Sequence, residues 1–571
     1  MEIDHFSSTA LNFNGVEVSY GSIQDVVFQE KHSLSGIELL GEINPLPNES
    51  GKGANLFKYQ NQQQQQHEEL RFDNLMSEEV NFDFGPQPTQ AFHETRGLKN
   101  QEVASSELVE YNKQEPPSLA SLELLRSHGS RFNRLSGQNI SNIETSLDHQ
   151  NRSTEEIIRV AGTRYVQLSA HWNDSFFIPM HPYGFDLGDL SEEENRDVEL
   201  AQFLLAAAER VGCQQFERAS RLLIVCERNS SATANPAQRV IFHFAQALRA
   251  RIDKETGKVT IKGLVKNEER ELHRNMDTIL SLTCHKKIPF NQVMQFTGIQ
   301  AIVEHVASDT KIHLIDLDIN SGVHCTALMQ ALVERQDCAV ELLKMTAIGL
   351  YTCKTKIEET GKRLASFAES LNLPFLFKAV FVTDIAELKE DHFEVGRHEA
   401  VAVYSPYLLR NMISRPDCME NLMGVIRNIK PSIMIVLEVE ANHNSPSFVN
   451  RFIEALFFYS AFFDCLETCT KQENECRMAT ERILSAGIRN IVAMEGRERT
   501  VRNVKIDVWR RFFARYRMVE TGFSKSCLYQ ADLVAKEFAF GKLCTIERNG
   551  KCLIVGWKGT PMHSISAWRF P

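Results

Sequence analysis

The hydrophobic pattern of the chain is clearest in residues 311–330, where a short apolar run precedes a helical repeat. The run covers 312–315 and contains one polar residue, which is typical of a buried strand in a parallel sheet. Asp316 and Asp318 end the run, and a turn at 320–322 leads into the helix. A strand, a tight turn and a helix, with acids at the strand's carboxyl end, predict the opening unit of a doubly wound α/β sheet. Ligands of such sheets bind at that edge.

Downstream of this unit, apolar strands alternate with amphipathic helices, which predicts a mostly parallel sheet with right-handed crossovers. The further predicted strands are 340–346, 374–382, 400–404 and 433–439, and the helices are 357–371, 421–429 and 447–463. Near the C-terminus, 542–547 and 552–557 flank Asn549-Gly550, the signature of an antiparallel hairpin. An antiparallel pair that closes a parallel sheet is a feature of the methyltransferase-like variant of the doubly wound fold.

Helical periodicity also covers residues 197–306, ahead of the first strand. The segments 198–211 and 216–229 each place leucine and alanine on one face, and Asn235-Pro236 marks the start of another helix. We therefore predict an N-terminal α-helical cap on the sheet. Part of its leucine-rich stripe is expected to stay exposed and to pair with another chain; the alternative is a stripe wholly buried in the cap.

The beginning of the chain has a different composition. It is rich in Asn, Gln, Ser, Glu and Gly, includes five glutamines at 62–66 and lacks a sustained period. This predicts a largely disordered arm over 1–151, a linker with a short helix over 152–190 and a folded region over 191–571. Residues 71–84 alternate acids with Phe, Leu, Met and Val. That composition suits an activation segment that folds on a partner, or a solvated tail.

Charge and cysteine content narrow the class of protein. The net charge of −11 argues against a protein that holds nucleic acid through bulk positive charge. No run is long and apolar enough for a membrane span, and no secretory signal is expected. The 13 cysteines are scattered, so we expect reduced thiols. Cys465, Cys469 and Cys476 form one cluster, but without a CxxC pair or a nearby histidine they indicate free thiols rather than a metal site.

The turn after the first strand lacks the glycines that a nucleotide or S-adenosylmethionine site requires. A methyltransferase turn reads Asp/Glu-x-Gly-x-Gly-x-Gly, and counting from Asp316 the glycine positions hold Asp318, Asn320 and Gly322. A carboxylate at the first of them would crowd the ligand. We predict a degenerate site without a cofactor, in which Asp316 accepts hydrogen bonds from the turn and caps the next helix. An S-adenosylmethionine-dependent methyltransferase is the enzyme alternative.

The densest basic segment, 496–517, suggests a second alternative, a direct sequence-specific DNA binder. Acids such as Glu498 and Asp507 lie among its arginines, which favours a salt-bridged helix surface instead. We expect Trp557 and Trp568, further along, to anchor the core, with hydrogen-bond partners for their ring N–H groups.

These features together resemble the plant-specific GRAS family of transcriptional regulators. In family order, the similar regions are leucine-rich region I at about 198–260, the VHIID region at about 278–345, leucine-rich region II at about 357–390, the PFYRE region at about 400–493 and the SAW region at about 496–571. The residues that match its motifs are Ile312, His313, Leu314, Ile315 and Asp316; Pro446, Phe458, Tyr459 and Arg489; and Trp509, Arg510, Trp557, Ser566, Ala567 and Trp568. Asn490 stands where the PFYRE region usually ends on an acid. The C-terminal half is most similar to DELLA-type members, although the arm carries no DELLA sequence.

The resemblance implies a nuclear transcriptional regulator, not an enzyme, with a role in plant development, hormone signalling or root symbiosis. It implies that the protein acts through transcription factors and other GRAS proteins, with a homodimer or heterodimer formed through the helical cap. DNA contact would be weak or indirect, and no cofactor, metal or membrane is implied.

Overall fold

The structure is a computed structural model that describes residues 121–128, 152–170, 190–258, 272, 276 and 278–571. Most of the predicted arm over 1–151 lies outside the described residues, as does its acidic segment 71–84.

The described chain contains one mixed sheet of nine strands. The strands are β1 (Lys311–Asp316), β2 (Leu342–Leu350), β3 (Phe375–Val382), β4 (Ala400–Pro406), β5 (Ile433–Val439), β6 (Val519–Thr521), β7 (Cys544–Asn549), β8 (Cys552–Trp557) and β9 (Thr560–Arg569). Their order is β3-β2-β1-β4-β5-β9-β8-β7, with β6 paired to β9. The first five strands are parallel, and β9, β8 and β7 continue the sheet antiparallel. Strand order reverses between β1 and β4, so this is the topological switch point of the sheet.

Fourteen helices of at least two turns lie in the described ranges. They are α1 (residues 121–128), α2 (Thr154–Ala170), α3 (Glu192–Gly212), α4 (Phe216–Arg228), α5 (Pro236–Glu255), α6 (Thr278–Lys287), α7 (Pro289–His305), α8 (Val323–Val333), α9 (Lys354–Ser370), α10 (Pro416–Ile429), α11 (Phe448–Cys469), α12 (Asn474–Ala493), α13 (Ile506–Arg515) and α14 (Lys525–Glu537).

Helices cover both faces of the sheet, which explains why its central strands are apolar on both sides. Every residue of β4 and β5 is buried. Along β1, Ile312 and Leu314 pack into the core on one face, and Ile315 packs into the core on the other. Successive side chains of a strand point to opposite faces, so an unbroken apolar run is what a doubly covered strand needs. The predicted fold class, a doubly wound, methyltransferase-like sheet with a helical cap, is confirmed.

The cap consists of α3, α4 and α5, which pack on one another, with α12 against α5. Asn235 begins α5 as predicted, because its side chain accepts a hydrogen bond from the Gln238 amide at 2.9 Å and Pro236 follows it. A capping box at Ser191 begins α3. The sequence therefore located the start of α5 correctly, whereas α3 begins about one and a half turns before the predicted helical segment at 197.

Helix α2 belongs to the same core as the cap. Ser153 caps it, accepting a hydrogen bond from the Glu156 amide at 3.3 Å. Ile157, Ile158 and Ala161 on its inner face are buried against the main apolar cluster. Residues 154–170 thus pack as part of the folded body, ahead of the start at 191 that the composition indicated.

The antiparallel end of the sheet is larger than the sequence indicated. The predicted hairpin is present as β7 and β8, with Gly550 at a φ of +59° in its turn. However, β9 inserts between β8 and β5 and joins the hairpin to the parallel strands. The chain's last strand is therefore an interior strand of the sheet.

The cysteine expectation is wrong for one pair. Cys284 of α6 and Cys476 of α12 form a disulfide across a sequence separation of 192 residues. Cys465 and Cys469 lie one turn apart on α11 with their Sγ atoms separated by 3.9 Å, as free thiols. The proposed three-cysteine cluster is not assembled, because Cys476 faces α6. Among the described helices, none combines the length and apolar content that a membrane crossing requires.

Candidate functional site

The carboxyl end of β1 lies at the switch point, where a doubly wound sheet holds its ligand. Asp316 is fully buried there. Its Oδ1 accepts a hydrogen bond from the Asp318 amide at 3.0 Å, and its Oδ2 lies 2.5 Å from Nε2 of His324. The carboxylate is therefore bound to groups of the protein itself. The predicted hydrogen bond from the turn is present, but Gly322, not Asp316, occupies the N-cap of α8.

His324 is the residue at this site that the sequence did not single out. It is buried in the first turn of α8, and its ring stacks on Tyr404 with centroids 4.7 Å apart. Burial disfavours the imidazolium, but Cys325 and the Asp316 carboxylate outweigh it and hold the pKa of His324 well above its ordinary value. Burial raises the pKa of the neighbouring Cys325 thiol. Asp316 and His324 thus form a buried ion pair under a tyrosine ring.

The glycine retained in the turn is required by packing. Gly322 has a φ of +69°, and a Cβ built on it would lie 2.9 Å from Cγ2 of Thr360 on α9. Thr360 Oγ1 also donates a hydrogen bond to the carbonyl of Asn320 at 3.0 Å. Asn320 is exposed and Asp318 half-buried. Helix α9 therefore closes directly on the turn that a cofactor would occupy in an enzyme of this fold.

Asp316, His324 and Cys325 also carry metal-ligand chemistry, with one potential ligand atom each within 4.8 Å of the others. Two ligands of one tetrahedral zinc would stand roughly 3.3 Å apart, given metal–ligand distances of about 2.0 Å. The Asp316–His324 separation of 2.5 Å is shorter, and it places the two side chains in direct hydrogen-bond contact. We interpret the group as an ion pair with an adjacent thiol.

His313, the histidine of the VHIID-like motif, faces the opposite side of the sheet from Asp316. It is fully buried, with Nε2 2.8 Å from Thr346 Oγ1 on β2 and Nδ1 3.2 Å from a carboxylate oxygen of Glu399. Burial and the nearby Lys344 lower the pKa of His313 to about 4. The neutral ring links β1 to its neighbours and is inaccessible to a ligand.

The PFYRE-like residues Phe458 and Tyr459 are buried on α11. The ring of His443 stacks on Tyr459 and meets the edge of Phe458, with centroids 6.0 and 5.2 Å apart. Pro446 is exposed before α11, and its carbonyl accepts a hydrogen bond from the buried Arg451 at 3.3 Å. These motif positions therefore pack α11 against the segment that precedes it.

Two further positions of that region lie on α12. Arg489 is exposed, one residue before Asn490, which stands in place of the usual acid. Asn490 donates to the carbonyl of Val501 at 2.8 Å and accepts from the amide of Thr500 at 3.0 Å. An amide can both donate and accept, which a carboxylate cannot, so the replacement suits this loop contact.

Only part of the basic segment 496–517 is exposed on the surface. Arg499 and Arg502 are buried, and Arg510 is held by Glu520 at 3.0 Å. Arg510 has a second ion pair, and the aromatic residues of the helix in this segment are buried. Arg510 also contacts Asp507 at 2.7 Å, while Trp509, Phe512 and Phe513 of α13 lie in the core. The exposed cations of α13 and the turn after it are Arg511, Arg515 and Arg517.

The tryptophans at the end of the chain are core anchors, as predicted. Trp557 Nε1 donates to Asp464 Oδ2 of α11 at 2.7 Å. Trp568 Nε1 donates to Ser566 Oγ at 2.9 Å, and its ring lies 4.4 Å from that of Phe513. Ser566 and Ala567 are buried in β9, paired with β5. These residues fix the antiparallel strands to the rest of the sheet.

Two buried glutamates near the end of β5 were not predicted. Glu438 accepts hydrogen bonds from the amides of Leu409 and Arg410 at 2.9 and 3.2 Å, and Glu440 accepts one from Ile506 at 3.0 Å. Burial raises the pKa of both carboxyls to about 7. The sequence signal was present, because two acids two residues apart follow an apolar strand. Here they bind loop amides.

Comparisons with known proteins agree with this arrangement. A model of the GRAS domain family matches residues 200–569. The chain is similar to DELLA protein RGL1 of Arabidopsis thaliana, with 31% identity over 66% of this chain and 71% of that protein. It is also similar to DELLA protein 1 of Medicago truncatula, with 30% identity over 67% of this chain and 65% of that protein. Overall it spans roughly two thirds of the length of these relatives. The crystal structure of SCL7 in Oryza sativa covers 65% of this chain with a TM-score of 0.56 at 24% identity, a likeness in fold.

Proposed function

The chain belongs to the GRAS domain family, and on that premise we propose that it is a nuclear transcriptional regulator in plants. In this proposal it acts by binding transcription factors and other GRAS proteins, and it catalyses no reaction. Development, hormone signalling and root symbiosis are the processes that we consider for it.

One observation carries this proposal: the Asp316 carboxylate, at the usual ligand position of the fold, is already bound by the Asp318 amide and by His324. Helix α9 also lies against Gly322, within 3 Å of where a side chain there would begin. A cofactor would have to displace a buried ion pair and a helix. In this proposal the partner proteins therefore bind to the outer faces of the domain.

The cap offers such a face. Helix α4 buries Ala219, Leu223 and Cys226, but Ile224 is 41% exposed and Leu222 is half-buried. We propose that the exposed side of α4 around Ile224 forms part of a surface for another GRAS chain, as a homodimer or a heterodimer. The motif residues of the VHIID, PFYRE and SAW regions, most of them buried, are proposed to maintain the platform rather than to contact partners.

Two measurements on the purified full chain test this proposal. In the first, S-adenosylmethionine is titrated into the protein and methyl transfer is assayed; we expect neither binding at micromolar concentration nor transfer. In the second, proteins captured from plant nuclei are purified singly and titrated against the wild type and Ile224→Asp. Glu217→Asp, on an exposed position of the same helix, is the control. Methyl transfer, or the absence of any transcription factor or GRAS protein that binds directly, would overturn the proposal.

Direct DNA contact is the second candidate. The exposed Arg511, Arg515 and Arg517 favour it, because they project cations from one segment. The buried Arg499 and Arg502 and the aromatic residues in the core weigh against a stacking platform for bases. We propose a weak contact with phosphates that accompanies binding to a transcription factor.

A further inference from the structure

Helix α1 lies far from the family-matched region in sequence but packs tightly on it. It covers residues 121–128, and the described chain resumes at 152. An isolated helix of eight residues is marginal in water, since nucleation is costly and few hydrogen bonds repay it. Packing on the folded body must therefore stabilise it.

Its contacts follow one face of the helix. Ser121, Leu125 and His128 are buried, while Glu123 and Arg126 are exposed. The spacing of four and then three residues places the buried side chains in one stripe. The same stripe contains a small hydroxyl, a leucine and an imidazole.

The facing surface is a groove between α2 and α11. On α11, Asn450 Oδ1 accepts a hydrogen bond from Ser121 at 2.8 Å, and Phe457 stacks on the ring of His128 with centroids 4.2 Å apart. Between them, Glu454 lies 3.5 Å from His128 Nε2. These three residues have the same four-and-three spacing as the stripe on α1.

The other wall of the groove is built for close approach. A Cβ on Gly162 of α2 would lie 3.3 Å from Leu125 and 3.6 Å from Phe457. Arg159, one turn earlier, donates a hydrogen bond to the carbonyl of His128. A helix C-terminus leaves carbonyls without intrahelical partners, so this guanidinium satisfies one of them.

The groove extends beyond the end of α1. A cavity of about 170 Å³ adjoins His128, and Glu440, Glu454 and Lys505 are among the residues that line it. Lys505 Nζ lies 3.9 Å from Glu454. A positively charged side chain longer than histidine would extend further into this cavity, between the carboxylates of Glu440 and Glu454.

We propose that the α2–α11 groove is a docking site for a short amphipathic helix, which α1 occupies in cis and a partner protein occupies in competition with it. The partner helix carries a small polar residue, a leucine four positions later and a basic residue three positions after that. The inference is separate from the proposed function, because its test uses a synthetic peptide and no transcriptional readout.

The test measures binding of a fluorescent peptide of residues 118–131 to the full chain by anisotropy. A segment tethered in cis has an effective concentration on the order of millimolar, so the wild type should bind the free peptide weakly. Leu125→Asp releases α1 and should tighten peptide binding at least about tenfold. Arg126→Asp, on the exposed face of the same helix, should bind like the wild type.

Two further variants establish where the peptide binds. Adding Gly162→Leu to Leu125→Asp fills the groove and should abolish the gain. A peptide with His128→Arg should bind the Leu125→Asp chain more tightly than the natural peptide. Equal affinity of wild type and Leu125→Asp, or binding that survives Gly162→Leu, would overturn the proposal. Hydrogen exchange of amides 125–128 that is equally fast in wild type and Leu125→Asp would overturn the cis contact.

Discussion

Nε2 of His324 and Oδ2 of Asp316 lie 2.5 Å apart where β1 meets the first turn of α8. Both side chains are buried, and Tyr404 covers the imidazole. A buried charge is stable only when it is paired and hydrogen-bonded. The pair therefore fixes the turn at the switch point of the sheet, and it does so with chemistry that depends on pH.

The first prediction concerns the pH dependence of stability at His324. Its pKa in the folded state is raised above the ordinary value of about 6.5 that applies to the unfolded chain. The stabilisation is thus fully present below pH 6.5 and is lost as pH rises towards the folded-state pKa. The free energy of unfolding of wild type relative to His324→Gln should fall by up to about 1.4 kcal/mol per pH unit above pH 6.5. Urea unfolding from pH 6 to 9 measures it, and parallel curves for the two proteins would contradict the assignment.

The second prediction concerns Glu440, whose neutral form is favoured in the folded protein, because burial raises the pKa of its carboxyl to about 7. Below about pH 4.5 the carboxyl of Glu440 is neutral in both the folded and the unfolded state, so its burial does not lower the free energy of unfolding. As pH rises from 4.5 to 7 the unfolded chain loses its proton first, so folding becomes less favourable. Glu440→Gln, which can still accept from the Ile506 amide, should therefore gain stability over wild type across this window. The gain is at most about 3 kcal/mol and levels off above pH 7.

Denaturant unfolding at pH 5, 6, 7 and 8 checks the Glu440 prediction. The exposed Glu547→Gln on β7 is the matched control and should show no such trend. A Glu440→Gln chain that becomes steadily less stable relative to wild type as pH rises above 5 would mean that the ionised carboxylate stabilises the fold.

The third prediction concerns Trp568, which is 2% exposed and lies against Phe513. Its removal leaves a cavity between β9 and α13, so Trp568→Ala should reduce the free energy of unfolding by about 3–5 kcal/mol. The neighbouring Arg569 is exposed, and Arg569→Ala should change stability by less than about 0.5 kcal/mol. Thermal unfolding of both variants is the measurement. An unshifted melting curve for Trp568→Ala would show that the ring is not a core anchor.

The fourth prediction addresses DNA. With a net charge of −11 and three exposed arginines around the end of α13, the full chain should bind duplex DNA no more tightly than about 10⁻⁶ M at physiological salt. Arg511→Ala and Arg515→Ala should each lower the slope of log affinity against log salt by about one, because each removes one phosphate contact. Arg510→Ala should alter stability rather than this slope, since Glu520 holds Arg510. Nanomolar, sequence-specific binding by the isolated chain would favour a direct reader of DNA.

The sequence determined those features that depend on local pattern. The β5 bounds, the cap of α5 at Asn235 and the hairpin turn at Gly550 were all predicted from residue type and spacing. These features depend on the spacing of apolar residues, on the positions of proline and glycine and on capping side chains. Each of these signals acts within a few residues, so it can be identified in a single sequence.

The tertiary structure decided what distant residues do to one another. The sequence did not indicate that Cys284 would lie against Cys476, or that β9 would pair with β5. It also did not indicate that His324 would form a hydrogen bond with the Asp316 carboxylate. Nor did it place α1 against Phe457. These contacts join segments from different parts of the chain or depend on which way a turn directs a side chain. Their formation depends on the whole core being folded, because only then do burial and close packing outweigh the entropy of bringing them together.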